Sequence, residues 1–411
     1  MARLGCWLGG AALAAGGCLT LGCSADEPEP IEVAVAVPFS GSGLMLDARQ
    51  GWDLVLDDIE RGGGINGRAL SVHERDTPLS AADDLASIAR GFVDLTGEGY
   101  RYIISLISGA AVEPMLRAAT SHGVLAMSIT SEEPAAQLAD YPALLLRGIL
   151  PTDRLIAKQA AALQARGKTH MALVGPLRAG VADERQVAMR TAYAACEGCE
   201  VSEVTYPSDA DLYRYDWRSL GQSVAASNPD VVFLAMTDTS ALADTVLAIE
   251  SFGFAGEYYF AYGGYVSSVL PAFAGSSVAS RFFSYDLALP PGERLDRFLA
   301  LYEERYGESF VPEPRLIAFA DYLALLALAM TRVGSQDPEL VAASMKELAS
   351  PPGDSYGPLD FAAASAAVRA GADIDFDGLS GPLDFDARGE VLDGFALEYG
   401  VNQAGEIAPL P

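Results

Sequence analysis

The chain has 411 residues, of which 50% are hydrophobic and 20% are charged, and its formal net charge is -28 at pH 7. This composition is typical of a globular protein with a large core and excludes a disordered or fibrous chain. So acidic a surface repels phosphate, which makes nucleic acid a poor partner and disfavours direct binding to anionic lipid.

The N-terminus has the pattern of a secretory signal. Arg3 is the single charged residue before a run rich in Gly, Ala and Leu that continues to Gly22. A charged start followed by an apolar stretch is typical of a signal peptide, so residues 1–22 are predicted to be removed. The run is Gly-rich and barely long enough to span a bilayer, which disfavours a transmembrane helix.

A lipidation motif follows the apolar run. Residues 19–23 (LTLGC) resemble a bacterial lipobox, although Thr20 stands where such motifs usually have Leu. The resemblance implies cleavage before Cys23, lipidation of that residue and attachment to a membrane through the lipid anchor alone. The acidic, Pro-containing stretch that follows is typical of a tether, so residues 23–30 are assigned to it. Lipidation of Cys18 and a soluble secreted protein are the alternatives.

Strands and helices alternate from residue 32 onwards, with β-branched runs predicting strands and a three- and four-residue apolar spacing predicting helices. The first run has strands at 32–37, 69–74, 101–107 and 124–128 and helices at 47–61, 81–95 and 112–121. The second run has helices at 153–166, 183–195, 216–227 and 240–252 and strands at 171–174, 200–205, 230–235 and 258–261. Helices at 293–306 and 317–333 and a tail of short strands and turns at 359–399 follow.

This alternation predicts the fold class. Strands that alternate with helices of this length form βαβ units, so the two runs predict an α/β protein of two doubly wound parallel-sheet lobes. In open sheets of this kind, ligands bind at the carboxyl ends of the strands. Two facing lobes therefore predict one cleft between those two edges.

Two cysteines remain once the signal and the anchor are set aside. Cys196 and Cys199 are predicted to form a small disulfide loop in an oxidising compartment. A zinc site needs a second pair of ligands, and the three His residues are scattered along the chain. Redox catalysis is the alternative, but a working Cys-x-x-Cys centre opens a helix, whereas this pair closes one.

Other motifs give weaker signals. The Gly41-Ser42-Gly43 turn is typical of dinucleotide binding, but the third Gly is missing and the acid that ends the next strand, Asp76, is too far along the chain. The segment 373–384 matches most of an EF-hand calcium loop, with Asp instead of Glu at its last position, so calcium is an alternative there. No nucleophile elbow or His-paired nucleophile is present, so the sequence predicts no enzyme, no cofactor and no metal.

Five blocks in order along the chain resemble one known family. They are VAVPFSGSG at 35–43, GGGINGRAL at 62–70, RYIISLISGAAVEPML at 101–116, IAFADYLALLALAM at 317–330 and ADIDFDGLSGPLDFDARGE at 372–390. Together they are similar to the branched-chain amino acid-type periplasmic binding proteins, which have the type I solute-binding fold.

The resemblance implies how the chain is divided. Three crossover segments are expected near 147–152, 285–290 and 379–385. The first lobe is then 31–149 plus 286–378, and the second lobe is 150–285 plus 384–411. The lobes are expected to close around the ligand by hinge bending, provided that the ligand prefers the closed form.

The family pattern also implies ligand-binding positions, transferred residue by residue. In the first lobe these are Ser108, Gly109, Thr130, Ser131 and Glu132, and in the second lobe they are Arg178, Asp238 and Tyr262. Family members use a Ser after the third strand for the ligand carboxylate, whereas here Gly109 holds that position. The usual Ala-Thr step is replaced by Thr130-Ser131, with Glu132 available to pair an ammonium. In the second lobe the usual Tyr and acid are missing, and Asp238 is the candidate replacement for the acid.

The expected function is that of an extracytoplasmic solute-binding lipoprotein on the periplasmic or cell-surface side of a bacterial membrane. It is expected to capture an amino acid or a related small molecule and to deliver it to an ABC permease. The alternative is a ligand-sensing component of a signalling system with the same fold, because fold alone does not determine the partner.

Overall fold

The structure is a computed structural model. It describes residues 28–40, 43–77, 84–107, 112–130, 144–178, 181–182, 184–207, 214–236, 238–261, 263–310 and 313–410. The expected signal peptide, Cys23 and the first part of the tether lie outside the described residues.

Strands and helices alternate through most of the described chain. The strands are β1 Ile31–Val37, β2 Leu70–Asp76, β3 Tyr102–Ser105, β4 Leu125–Ser128, β5 Leu145–Arg147, β6 His170–Arg178, β7 Val181–Ala182, β8 Glu200–Pro207, β9 Val231–Leu234, β10 Glu257–Phe260, β11 Phe282–Leu287, β12 Asp354–Tyr356, β13 Ile374–Phe376, β14 Ala396–Val401 and β15 Ile407–Pro409. The helices are α1 Gly43–Arg61, α2 Asp84–Glu98, α3 Val112–His122, α4 Thr152–Ala165, α5 Glu184–Ala194, α6 Trp217–Ser227, α7 Thr239–Glu250, α8 Gly263–Val269, α9 Glu293–Tyr306, α10 Pro314–Val333, α11 Pro338–Leu348 and α12 Phe361–Arg369.

The first sheet contains five parallel strands in the order β2-β1-β3-β4-β5. Its inner strand β1 has Val33 and Val35 in the core shared with α1 and α10, and Ala34 and Ala36 in the core shared with α2 and α3. A parallel strand covered by helices on both faces needs apolar residues at successive positions. The run IEVAVAV therefore forms an inner strand, with its larger side chains toward the thicker helical layer.

Helix α10 is the core helix of the first lobe. It is long and apolar enough to cross a membrane by composition, yet 89% of its most apolar stretch is buried inside the protein. Glu313 caps its N-terminus by accepting from the Leu316 N–H, and Gly334 ends it in the left-handed conformation. Because α1, α11 and α12 surround it, apolar residues are needed all around the helix rather than on one face.

The second sheet has the order β15-β14-β11-β10-β9-β6-β7, and β8 also pairs with β6. Strands β6, β8, β9, β10 and β11 are parallel, whereas the C-terminal pair β14 and β15 is antiparallel. Val232 and Leu234 pack toward α6 and α7, and Val231 and Phe233 pack toward α4 and α5. Both sheets are thus covered on two faces, and the predicted α/β fold of two parallel-sheet lobes is confirmed.

The chain passes three times between the lobes. It leaves the first sheet after β5 to enter α4, and it leaves the second sheet after β11 to enter α9. The third passage, from β13 to β14, lies later than the expected start of the second lobe at residue 384. Phe385 and Val391 are still buried in the first-lobe core, and the chain joins the second sheet at Ala396.

The C-terminal part of the chain contains two helices, α11 and α12, that were not predicted; α12 lies within 359–399, where short strands and turns were expected. Helix α12 has the sequence FAAASAAVR, whose alanines are strong helix formers. Helix α11 starts at a Pro that follows the N-cap Asp337, whose Oδ1 accepts from two backbone N–H groups. Both helices pack on α10, and this packing stabilises them.

A disulfide joins Cys196 to Cys199 in the turn between α5 and β8. This turn lies at the amino edge of the second sheet, the edge away from the carboxyl ends of its parallel strands.

Candidate functional site

The site begins with the turns that follow β3 and β4 in the first lobe. The Thr130 side chain is 8% exposed, and its Oγ1 donates to the Ile107 carbonyl at 3.1 Å. Ser128 Oγ donates to the Thr130 carbonyl at 2.8 Å and accepts from the Thr130 N–H at 3.2 Å. The two turns are therefore tied together at the carboxyl edge of the sheet. Because its proton is used by Ile107, the Thr130 hydroxyl offers a ligand an acceptor, which suits an N–H donor.

The turn after β1 forms the neighbouring part of this edge. Asp76 Oδ1 accepts from the Ser40 N–H at 3.0 Å. Burial raises the pKa of Asp76, but its hydrogen bonds from Ser40 and the Phe39 N–H outweigh that effect and hold the pKa below its ordinary value. Asp76 thus holds the turn after β1, and this role argues against a ribose-binding acid in a dinucleotide site.

Apolar groups stand beside the same turn. Phe39 is half-buried and packs edge-on against Trp52, with ring centroids 6.1 Å apart, and Trp52 packs in turn on Phe319 of α10. Leu46, in the first turn of α1, is 51% exposed. Sequence reasoning missed Phe39 and Leu46. The sequence feature that could have found them is an apolar residue directly after a buried strand, for Phe39, and one at the start of the next helix, for Leu46.

In the second lobe, Asp238 and Arg178 lie at the ends of β9 and β6. Asp238 Oδ1 accepts from the Ala241 N–H at 2.8 Å, so the carboxylate caps helix α7. Residues 175–178 were expected to be a turn, but β6 continues through Arg178 and pairs back on β7. The continued pairing with β8 as far as Pro207 extends the strand beyond Val174.

Sequence reasoning also missed a buried pair at the start of α5. Arg185 and Gln186 are 8% and 1% exposed. Helix α5 begins after β7 at the carboxyl edge of the second sheet, so the pair places a cation and an amide close to the expected cleft. Charged residues are rarely buried unless they are paired, and both Arg185 and Gln186 are engaged by other groups of the protein.

The remaining expected site residues, Ser108, Gly109, Ser131, Glu132 and Tyr262, lie outside the described residues. Ser108 follows Ile107 in the chain and Ser131 follows Thr130, so the Thr130–Ile107 hydrogen bond joins the residues that precede both. Of the first-lobe positions the structure describes Thr130 alone, at the carboxyl edge beside Ile107, and the contacts of the others stay predictions.

The calcium alternative finds little support in the part of the chain that the structure describes. That part holds no group of three or more His, Cys, Asp or Glu side chains arranged to bind a metal ion. Asp377 is 3.3 Å from Nη1 of Arg294 and accepts from Ser355, so its carboxylate faces protein donors.

The hinge is anchored by two consecutive residues of α10. Tyr322 Oη lies 2.7 Å from the Ser128 carbonyl and 3.0 Å from the Leu146 carbonyl, and it accepts from the Gly148 N–H. Asp321 accepts from the N–H groups of Leu379 and Ser380 and from the Ser380 hydroxyl, at 2.7, 2.9 and 2.6 Å. One helix therefore fixes the first crossover at Gly148 and a first-lobe segment, Leu379 and Ser380, that precedes the third crossover.

Glycines at two positions leave room for the side chains of Tyr322 and Asp321. A Cβ on Gly148 would stand 3.0 Å from the Tyr322 ring, and a Cβ on Gly378 would stand 2.5 Å from Asp321 Oδ2. Burial raises the pKa of Asp321 to about 6 against the opposing effect of its hydrogen bonds from Ser380 and Leu379. Burial also raises the pKa of Tyr322 well above its ordinary value, so its hydroxyl stays protonated.

Known proteins resemble this chain along most of its length. The model of the periplasmic binding protein family matches residues 30–382. The chemotactic signal transduction system substrate-binding protein BasB of Halobacterium salinarum is 26% identical over 397 residues, which are 90% of this chain and 87% of that protein.

Solved structures share the fold. An ABC transporter substrate-binding protein from Desulfitobacterium hafniense, in complex with Leu, matches with a TM-score of 0.68 and 19% identity over 93% of this chain and 100% of that chain. An ABC transporter solute-binding protein from R. palustris, in complex with benzoate, matches with a TM-score of 0.61 and 16% identity over 93% of this chain and 95% of that chain.

The chain belongs to the periplasmic binding protein family. The family match and the two parallel-sheet lobes confirm the resemblance to the branched-chain amino acid-type binding proteins and the type I fold. The family consists of extracytoplasmic proteins that bind small molecules, and this chain is a binding protein of that family.

Proposed function

We propose that this protein is a lipid-anchored receptor that captures a small carboxylate, an amino acid or a close relative, between its lobes and delivers it to an ABC permease. The observation that carries the proposal is the pair of parallel sheets joined by three crossovers, with polar turns at the carboxyl edge of each sheet. In such sheets the carboxyl edge is where ligands bind.

A carboxylate suits the chemistry of this edge. Helices α1 and α5 begin at the carboxyl edges of the two sheets, and the N-terminus of a helix attracts negative charge. Arg185 adds a buried cation in the second lobe. Two of the similar structures are complexes with Leu and with benzoate, which share a carboxylate and differ in the remainder of the molecule.

The amino group and the side chain of the ligand would meet different surfaces. The Thr130 hydroxyl, which already donates to Ile107, accepts from an ammonium, and Glu132 is the predicted counter-charge. Phe39 and Leu46 offer apolar contact from the first lobe. A ligand that touches both lobes favours the closed form, and closure then follows from binding.

We also propose that the protein is held on the outer face of a membrane by lipid on Cys23, and that it has no catalytic role. The membrane test compares Cys23→Ser with Cys18→Ser in cell fractionation. Cys23→Ser should release the protein into the soluble fraction, and Cys18→Ser should leave it with the membrane. Release by Cys18→Ser but not by Cys23→Ser would mean that the lipid is attached to Cys18.

A thermal-shift screen tests the ligand class. The protein is stripped of bound ligand by unfolding and refolding, and the panel contains amino acids, their amides, aromatic acids and nucleotides. A ligand at about a hundred times its Kd adds about 2.7 kcal/mol of stability. We expect hits among carboxylates and none among the matching amides without a carboxylate. Hits confined to nucleotides would refute the carboxylate proposal.

A signalling role is the second candidate, and the relative that supports it is the chemotactic BasB protein with its 26% identity. The two roles differ in the membrane partner. Crosslinking of the ligand-loaded protein in its native membrane, followed by mass spectrometry, should recover an ABC permease. Recovery of a transmembrane signal transducer instead would establish the second candidate.

A further inference from the structure

The loop from Asp386 to Val391 is part of the first lobe, although it precedes the last strands of the second. Glu390 forms an ion pair with Arg147, and both residues are nearly inaccessible, at 3% and 1% exposure. The Arg147 N–H donates to the Gly389 carbonyl at 2.7 Å, and the Val391 N–H donates to the Arg147 carbonyl at 3.2 Å. These bonds form an isolated parallel β-bridge between Glu390 and Arg147 of β5, which fixes the loop beside that strand.

Helix α4, in contrast, is fixed to the second lobe. Its Ile156 and Leu163 are buried in a core that includes β6 and β9. Gln159 is fully buried, and its Nε2 donates to the carbonyls of Ala261 and Tyr285 at 3.1 and 2.8 Å. The helix therefore moves with the ends of β10 and β11.

One side chain joins these two bodies across the hinge. Arg154 of α4 places Nη2 3.0 Å from Asp386 Oδ2 and 3.9 Å from Glu390 Oε2, and its Nη1 donates to the Val391 carbonyl. One turn further on, Lys158 Nζ lies 2.7 Å from Asp393 Oδ1. The chain crosses between the lobes in the short stretches 148–151 and 392–395, so both ion pairs lie beside the pivot.

The energetics favour Arg154 over Lys158 as the effective contact. Asp393 is 68% exposed, and a pair so open to solvent contributes little. The side chains of Asp386 and Glu390 are 19% and 4% exposed, and that of Arg154 is 28% exposed. Solvent screens the Arg154 contacts less, and its planar fork reaches two carboxylates and a carbonyl at once.

We propose that Arg154 is an interlobe latch: by bridging α4 of the second lobe to the Asp386–Val391 loop on the first, it sets the angle between the lobes. Rotation of the lobes must lengthen or rebuild these contacts, so the latch contributes to the free-energy difference between lobe arrangements. A change in that difference alters the observed Kd, because ligand affinity scales with the population of the binding-competent arrangement. This last step rests on the proposed function, whereas the lobe angle does not.

The test measures the lobe angle without ligand. Donor and acceptor dyes are attached through non-canonical amino acids at Leu247 of the second lobe and Leu340 of the first, which are 51% and 54% exposed. Single-molecule energy transfer is recorded for the wild type, Arg154→Gln and Arg190→Gln. Arg190 is the control because its ion pair with Glu203, at 3.0 Å, lies wholly within the second lobe.

We expect Arg154→Gln to shift the distribution of transfer efficiency and Arg190→Gln to leave it unchanged. Raising the salt from about 20 mM to about 500 mM should move the wild type toward the Arg154→Gln distribution and leave the variant where it is. Asp386→Asn, which removes the charge on the other side of the pair, should reproduce the shift. Identical distributions for the wild type and Arg154→Gln at low salt would overturn the proposal.

The affinity measurement follows from the first result. For a ligand found in the thermal-shift screen, the Kd of Arg154→Gln should change by about threefold or more, falling if the dyes move together and rising if they move apart. A shifted lobe angle without any ligand in the screen would support the latch and count against the proposed ligand class. An unshifted lobe angle together with a clear ligand would overturn the latch and support the proposed ligand class.

Discussion

Asp321 and Tyr322 are adjacent in helix α10; Tyr322 holds the first crossover between the lobes, and Asp321 holds a first-lobe segment that precedes the third. Tyr322 binds the end of β4, the end of β5 and Gly148 on the first crossover, and Asp321 binds Leu379 and Ser380 before the third. Consecutive residues of a helix point about 100° apart, so a single buried helix can support two separate segments of the chain, one of them a crossover. The hinge therefore has a rigid base on the first lobe.

Asp321 should make stability depend on pH. Its pKa is raised to about 6, mainly by burial, from an ordinary value of 3.8. A raised pKa stabilises the folded state below about pH 4, and this contribution is lost as pH rises through about 6. In Asp321→Asn the contribution is absent, so the free energy of unfolding relative to wild type should rise by about 1.4 kcal/mol from pH 5 to pH 7.5.

Urea unfolding at the two pH values measures this difference. Asp230→Asn is the control, because backbone hydrogen bonds from His170 and Thr169 lower the pKa of Asp230, so its contribution to stability is constant from pH 5 to pH 7.5 and is lost only at lower pH. Parallel stability profiles for wild type and Asp321→Asn would mean that Asp321 does not titrate in this range.

Tyr322→Phe should destabilise the protein by about 1–3 kcal/mol, because it leaves buried carbonyl and N–H groups at the first crossover without their partner. Tyr306→Phe is the control. Its hydroxyl makes a 3.2 Å bond to the Gln50 carbonyl at a partly buried position, so its loss should cost less. The two variants are compared by urea unfolding, and equal costs would contradict the anchoring role of Tyr322.

Thr130 should act on both stability and binding. Thr130→Val keeps the shape of the side chain but loses the bond to the Ile107 carbonyl, which should cost about 1 kcal/mol of stability and weaken ligand binding. Thr130→Ser keeps the hydroxyl and should retain most of both. Isothermal titration and thermal melting separate the two effects. Unchanged affinity in Thr130→Val would mean that the ligand does not bind at this turn.

The disulfide should matter for stability alone. Cys199→Ser opens the short loop closed with Cys196, and a loop of this length is worth about 2 kcal/mol in the chain-entropy model. The turn lies at the amino edge of the second sheet, so the Kd for ligand should stay the same. Treatment of the wild type with a reductant should lower its melting temperature to that of the variant. A lost ligand response in Cys199→Ser would contradict a purely structural role.

Part of the fold could be read from local patterns. The β-branched run of β1 predicts a strand, because burial on two faces requires successive apolar residues. The spacing in α1 predicts a helix, because burial on one face requires apolar residues three and four positions apart. Helices α11 and α12 were missed, since their start and length depend on packing against α10. The third crossing lies later than the expected 379–385 because Phe385 and Val391 pack into the first-lobe core, a long-range contact that the local pattern does not show.

The candidate site divides in the same way. Thr130 and Asp238 could be named as candidates because the family pattern has its ligand positions in the turns after strands, at the carboxyl edge of a parallel sheet. Arg154 could not be singled out, because nothing near it in sequence distinguishes it from a solvated arginine on a helix. Its partners Asp386 and Glu390 follow it by more than 200 residues.

The sequence by itself determined the alternation of strands and helices, the division into two α/β lobes and the sheet edge at which a ligand is expected, because each depends on short-range periodicity. Only the tertiary structure decided the roles of Asp321, Tyr322, Arg147 and Arg154. Those roles depend on hydrogen bonds and ion pairs between residues far apart in the chain, and such contacts form only after the lobes are packed.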